Sequence, residues 1–144
     1  MVRSIVVKFG GSVLKDVSAI SEAAKWVKEM LSRGRGVVVV VSAMKGVTDE
    51  LQEVAENLNS NPDPRLMAEI LSMGERMSVR LFALALRGHG INAVFIDPSS
   101  ENWPIIADGN PLDANPIYEL VEKRVLERVK PMLERGVVPV ICGF

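Results

Sequence analysis

Residues 37–41 are five consecutive valines, entered from SRGRG and left through SAMKG. A run of β-branched residues this short is a strand, and it lacks the polar alternation of a strand with one wet face. Such a strand must be covered on both sides, which selects a parallel sheet between two layers of helix. Three further apolar runs fit as its companions: residues 4–7, 91–96 and 137–141. The segments between them carry helical periodicity. Strand, helix, strand, helix, strand, helix, strand reads as α/β, a three-layer α/β/α sandwich with a mainly parallel central sheet.

The helices are placed by their apolar spacing. Ile20, Ala24, Val27 and Leu31 recur at three and four residues, and Gly34 or Gly36 can end that helix in the left-handed conformation. A second helix is expected over 48–58, followed by the polar loop 59–64. A long one over 65–86 presents Leu66, Ile70, Met73, Met77, Leu81 and Leu84 as its core-facing stripe. The methionines at 67, 73 and 77 are read as core. Residues 97–116, rich in Pro, Asn, Asp and Gly, form a loop or short hairpin around 103–107. A last helix runs from about Asn115 through Leu133.

At 144 residues the chain holds one domain with a real core. Its 17 basic residues against 18 acidic ones lack the surplus of a general nucleic-acid binder. The longest apolar stretch is too short for a membrane span, and the N-terminus is too weakly apolar for a secretory signal. The single cysteine, Cys142, cannot form an internal disulfide. A cytoplasmic protein with no nucleic-acid or membrane partner is expected. No His/Cys cluster is present, so no metal site is assigned.

Three stretches can carry chemistry. In SIVVKFGGS, Lys8 stands at a strand's end and Gly10 and Gly11 follow, so backbone amides and an ammonium could converge on phosphate oxygens. The lysine precedes the glycines, which separates the pattern from a P-loop, and the alternative is a plain turn with Lys8 extended into solvent. In VSAMKGVTDEL, Ser42 ends the valine strand, and Thr48 or Asp49 would cap the next helix; the same hydroxyls and amides, with Lys45, could hold an anion. In LSMGERMSVRL, Gly74 costs a helix about 1 kcal/mol against alanine, so a close approach or local break is expected there. Glu75 beside it either pairs with Arg76 or Arg80 or receives a ligand's ammonium group. His89 is read as a surface or capping residue, and Cys142 as a small buried hydrophobe.

Taken together, VKFGGS, VVVVSAMKGVTDEL, SMGERMS, LALRGHGINAVFID and VPVICGF resemble, in order and approximate spacing, the catalytic domain of the aspartokinases, members of the amino acid kinase superfamily. The lysine–glycine motif belongs to the wider superfamily; SAMKGVTD and GERMS select aspartokinase. The resemblance implies transfer of the γ-phosphoryl of ATP, with Mg²⁺ as part of the substrate complex, to the side-chain carboxylate of L-aspartate. It implies Lys8 on the transferring phosphoryl, Gly10, Gly11 and Ser12 along the phosphates, Ser42 at the active-site end of its strand, Thr48 on aspartate, and Glu75 on the aspartate ammonium. The family commonly has Thr-Ser after the glycine pair, where this chain has Ser12 followed by Val13.

The chain halts at CGF after an apolar strand, so it is expected to be the N-terminal, amino-acid-substrate side of a kinase domain, residues 1–144 with no second domain. On this resemblance the family's later strands, nucleotide base site and regulatory ACT domains are expected to lie outside these 144 residues. Alone it would be inactive, and a homo-oligomer or a complementing half would be its partner. Three other readings stand beside this one: a subunit of a split kinase, a superfamily member with another carboxylate, carbamate or phosphate acceptor, and a non-catalytic binding or assembly module.

Overall fold

The valine run occupies the interior of the sheet. In the computed structural model, which describes residues 3–144, β1 (Ser4–Phe9), β2 (Gly36–Val41), β3 (Ala93–Ile96) and β4 (Val138–Cys142) form one sheet in the order β1-β2-β4-β3. All three pairings are parallel, with Lys8 opposite Val40, Val41 opposite Cys142, and Ile96 opposite Ile141. Parallel pairing sends every strand's carboxyl end to the same edge of the sheet.

Helices cover both faces, as the valines require. On one face α1 (Val17–Ser32) and α3 (Pro64–Gly88) pack over Ile5, Val7, Phe9, Val37, Val39, Val41, Ala93, Val138, Val140 and Cys142. On the other, α4 (Tyr118–Arg124), a π-helical turn (Val125–Val129) and α5 (Lys130–Glu134) cover Val38, Ile96 and Ile141 through Val129, Met132 and Leu133. The widened turn sits just before Pro131, whose ring lacks an N–H and would crowd the carbonyl four residues back in a regular helix. α2 (Val47–Leu58) packs against α3.

Asp16 caps α1 by accepting from the Ala19 amide at 2.8 Å, and Asp63, followed by Pro64, caps α3 by accepting from the Leu66 amide at 2.9 Å. Gly34 takes the expected left-handed turn between α1 and β2. The 97–116 segment is a loop closed by a short antiparallel bridge, with the Ile117 amide donating to the Ile106 carbonyl at 2.8 Å.

Two expectations are corrected. The stripe assigned to the core side of α3 faces outward: Leu66, Met73, Met77, Leu81 and Leu84 are exposed, Leu84 at 67%. The buried face is instead Met67, Gly74, Ser78, Val79, Phe82, Ala83 and Leu86, whose small members let the helix lie close to the sheet. Secondly, β1 is covered on one face only: Ile5, Val7 and Phe9 enter the core, while Val6, at 67% exposure, and Lys8 lie on the uncovered face.

Candidate active site

The loops at the carboxyl edge of the sheet hold the residues singled out in the sequence. The Gly10 carbonyl accepts from the amides of Val13 and Leu14, both at 3.0 Å, so the chain folds into a tight turn directly after β1. This turn is tied to the next loop: Ser42 N–H donates to the Phe9 carbonyl at 3.2 Å and Lys45 N–H to the Leu14 carbonyl at 3.1 Å. The two glycines serve different ends. A Cβ on Gly11 would stand 3.2 Å from the Ala43 carbonyl oxygen, whereas one on Gly10 would meet nothing within 4 Å. Neither has a positive φ. Gly10 is therefore not required by the chain's own packing, and its bare backbone faces open space.

The loop after β2 leads into α2 through Gly46, the N-cap residue, which has a left-handed φ of 86°. Thr48 and Asp49 lie inside the first turn, so the expectation that one of them caps the helix is corrected. No side chain caps this end, and the half-buried Thr48 hydroxyl has no hydrogen-bond partner among the described residues. Ser42, also half-buried, donates its hydroxyl to the Ala43 carbonyl at 3.2 Å.

Gly74 produces a close approach and no break: α3 is continuous for 25 residues. A Cβ at Gly74 would stand 2.7 Å from the Ala43 Cβ and 3.4 Å from Val47 Cγ1. The missing side chain thus lets α3 press against the loop that carries Ser42 and Thr48. Glu75 is half-buried and takes part in no hydrogen bond or ion pair among the described residues. The pairing with Arg76 or Arg80 weighed from the sequence does not form, because both guanidiniums turn to another carboxylate.

That carboxylate is Asp97, which sequence reasoning did not single out. It follows β3 directly and is 0% exposed. Arg76 Nε donates to its Oδ2 at 3.1 Å and Arg80 Nη2 at 2.8 Å, while the Ser99 amide and hydroxyl donate to Oδ1 at 2.9 and 2.7 Å. Burial pushes the carboxyl up, but the hydrogen bonds from Ser99, Arg80 and Arg76 outweigh it and hold Asp97 well below the usual carboxylate range. The available signal was an acidic residue closing a buried strand, followed by Pro-Ser-Ser. Cys142, at the end of β4, is buried as expected, and burial together with the nearby charges of Asp97 and Glu75 pushes its thiol up to about 12.

The Gly74 contact thus joins α3 to the loop between Ser42 and Thr48, and Gly11 packs against the same loop. Ser12 is exposed in the turn after β1. Lys8 shares the carboxyl edge but projects from the opposite, uncovered sheet face, and no hydrogen bond or ion pair links it to Glu75 or Thr48. Among the described residues no helix is long and apolar enough to cross a membrane, and no three His, Cys, Asp or Glu side chains converge to hold a metal.

The all-parallel sheet covered by helices, with its connecting loops at one carboxyl edge, defines an α/β domain, a class in which ligands generally bind at that edge. The chain belongs to the amino acid kinase family, whose profile matches residues 3–144. Among its curated relatives, the aspartokinase of Helicobacter pylori is 34% identical over 97% of this chain and 33% of its own length, and that of Geobacillus stearothermophilus is 33% identical over the same shares. The chain therefore spans about a third of the length of these relatives. The aspartate kinase of Synechocystis superposes with a TM-score of 0.74 at 31% identity, over 96% of this chain and 21% of that one. Escherichia coli aspartokinase III, solved with aspartate and ADP, shares the fold at a TM-score of 0.79 and 22% identity, over 99% of this chain and 40% of that one.

Proposed function

We propose that this chain is the N-terminal, amino-acid-substrate side of an aspartate kinase. In the reaction, a side-chain carboxylate oxygen of L-aspartate attacks the γ-phosphorus of ATP, supplied as its magnesium complex. The bond from that phosphorus to the β–γ bridging oxygen breaks, leaving 4-phospho-L-aspartate and ADP. The nucleophile is already ionised at neutral pH, so no general base is required, and the protein's task is positioning and charge compensation. Glu75 receives the substrate ammonium, Thr48 and Ser42 orient the amino acid, Gly10, Gly11 and Ser12 line the phosphates, and Lys8 neutralises charge on the transferring group.

The observation that carries this reading is the unpaired, half-buried Glu75, next in α3 to the glycine that packs against the Ser42–Thr48 loop. A carboxylate left without a partner there is suited to a cationic ligand group. Lys8 reaches the phosphates by extending its long side chain over the sheet's edge. The uncovered face around Val6 and Lys8 supports the view that a further segment, in the same polypeptide or a complementing subunit, completes the nucleotide site.

The outward stripe of α3 supports self-association. Leu66, Ile70, Met73, Met77, Leu81 and Leu84 recur at three and four residues, the spacing with which one helix packs on another, and a second copy offers the same stripe. A cytoplasmic setting agrees with these assignments.

The test is ATP- and aspartate-dependent ADP release by the intact polypeptide that carries this segment. Lys8→Ala is expected to lower kcat by at least about a hundredfold with an unchanged melting curve, because the side chain is exposed and supports no packing. Near-normal turnover removes Lys8 from its role. Turnover with another acceptor but none with aspartate replaces the substrate assignment. The 144-residue chain alone is expected to release no ADP.

A further inference from the structure

Three charged side chains meet where β3 ends: Arg76 and Arg80 reach from α3 to Asp97, and a fourth, Glu75, directly precedes Arg76 on that helix. The two guanidiniums are shared unequally: both are bound to Asp97 and neither to Glu75. The arginines are fixed by further contacts. Arg76 Nη2 donates to Ser99 Oγ at 3.1 Å, Arg80 Nη1 donates to the Arg76 carbonyl at 2.6 Å, and the Arg80 guanidinium lies 4.3 Å from the centre of the Phe95 ring.

We propose that Asp97 is a positioning residue that neutralises Arg76 and Arg80 beside Glu75, and thereby keeps the Glu75 site selective for a ligand bearing an ammonium group. A cationic ligand group approaching Glu75 would otherwise meet two uncompensated positive charges, one of them on the adjacent residue, and like charges repel. Arg76 and Arg80 are one helical turn apart and share a face of α3, so a single acceptor on the neighbouring β3 loop can hold both. Asp97 is that acceptor, and its complete burial keeps solvent from competing for it. This inference rests on the assignment of Glu75 to the substrate ammonium.

The experiment measures steady-state kinetics of the intact polypeptide with aspartate, together with inhibition by succinate, which matches aspartate but lacks the amino group. Asp97→Asn leaves two guanidiniums uncompensated save for Glu75. It is expected to raise the aspartate KM about tenfold while kcat changes by less than about threefold. Succinate inhibition should be unchanged or stronger. Adding Arg80→Gln to Asp97→Asn restores the charge balance and should return KM towards the starting value. A purely structural role gives the opposite pattern, because the double variant loses more contacts and weakens aspartate and succinate alike; that result overturns the proposal.

Arg80→Gln alone provides a measurement that does not depend on Asp97→Asn folding, since the Arg80 side chain is 44% exposed. It should lower the aspartate KM about threefold relative to succinate inhibition, and an unchanged or raised ratio also overturns the proposal. Absence of any aspartate-dependent turnover in the unsubstituted protein sinks the functional assignment instead, so the two failures are distinguishable.

Discussion

Replacing Gly74 by alanine sets two effects of opposite sign against each other. Alanine is the better helix former, by about 1 kcal/mol in a helix interior. The added methyl carbon, however, would stand 2.7 Å from the Ala43 Cβ and 3.4 Å from Val47 Cγ1. The first distance is well inside van der Waals contact, and Ala43 is buried in the loop at the end of a central strand, so the backbone itself must give way. Overpacking of this kind costs roughly 1–3 kcal/mol. The net expectation is destabilisation by about 1 kcal/mol, or about 2–4 °C in Tm for a domain of this size. Gly88, at the far end of the same helix, is the control: a Cβ there meets nothing within 4 Å, so Gly88→Ala should be neutral or slightly stabilising. Urea unfolding followed by circular dichroism measures both. In the intact polypeptide the Gly74 variant should also raise the aspartate KM, because the clash shifts α3, which carries Glu75, relative to the loop that carries Thr48. A Gly74→Ala protein as stable as Gly88→Ala would refute the close-packing argument.

Gly10→Ala should leave stability within about 0.5 kcal/mol, since the new Cβ enters open space and φ is not positive. It should nevertheless weaken nucleotide binding in the intact polypeptide at least about tenfold, read by calorimetry with ADP, if phosphate oxygens approach this backbone. Acid sensitivity should trace to Asp97. Its folded-state carboxyl is held below the usual range, so on acidification the unfolded chain takes up its proton first, and stability present above about pH 4 is lost as pH falls further. Asp97→Asn should flatten that part of the stability–pH curve, and an unchanged slope would show that other carboxylates dominate it.

How far the sequence disclosed this fold depended on what signalled burial. The valine run specified a doubly covered parallel strand because five β-branched residues in succession leave no wet face, and four of the five are buried. The glycine at the α1–β2 junction and the hairpin-like 97–116 loop were legible for the same local reason: turn chemistry is written in a few adjacent residues. In β1 the run IVVKF looked equally apolar, yet coverage is a property of what packs on a strand, and only Ile5, Val7 and Phe9 are met by helices. Near the candidate site, the close approach of α3 to the β2–α2 loop was legible because Gly74 marked it in advance. Asp97 was not, because its importance depends on two arginines reaching it from residues 17 and 21 positions earlier.

The inverted reading of α3 has a physical cause that bears on the site. The helix carries two apolar stripes about one residue apart in phase, and periodicity favours whichever holds the larger side chains. Burial here favours the other, which includes the small residues Gly74, Ser78 and Ala83, and at Gly74 the missing side chain lets the helix lie close to the β2–α2 loop. Ser78 is the residue this choice leaves exposed to cost: its hydroxyl is buried without a hydrogen-bond partner, where alanine would give a similar shape with no polar group to desolvate. Small volume alone therefore does not explain a serine at this position. What small volume does explain is the phase of the helix: the buried face mixes Gly74, Ser78 and Ala83 with Met67, Phe82 and Leu86, and turning it inward leaves Leu66, Met73, Met77, Leu81 and Leu84 outside.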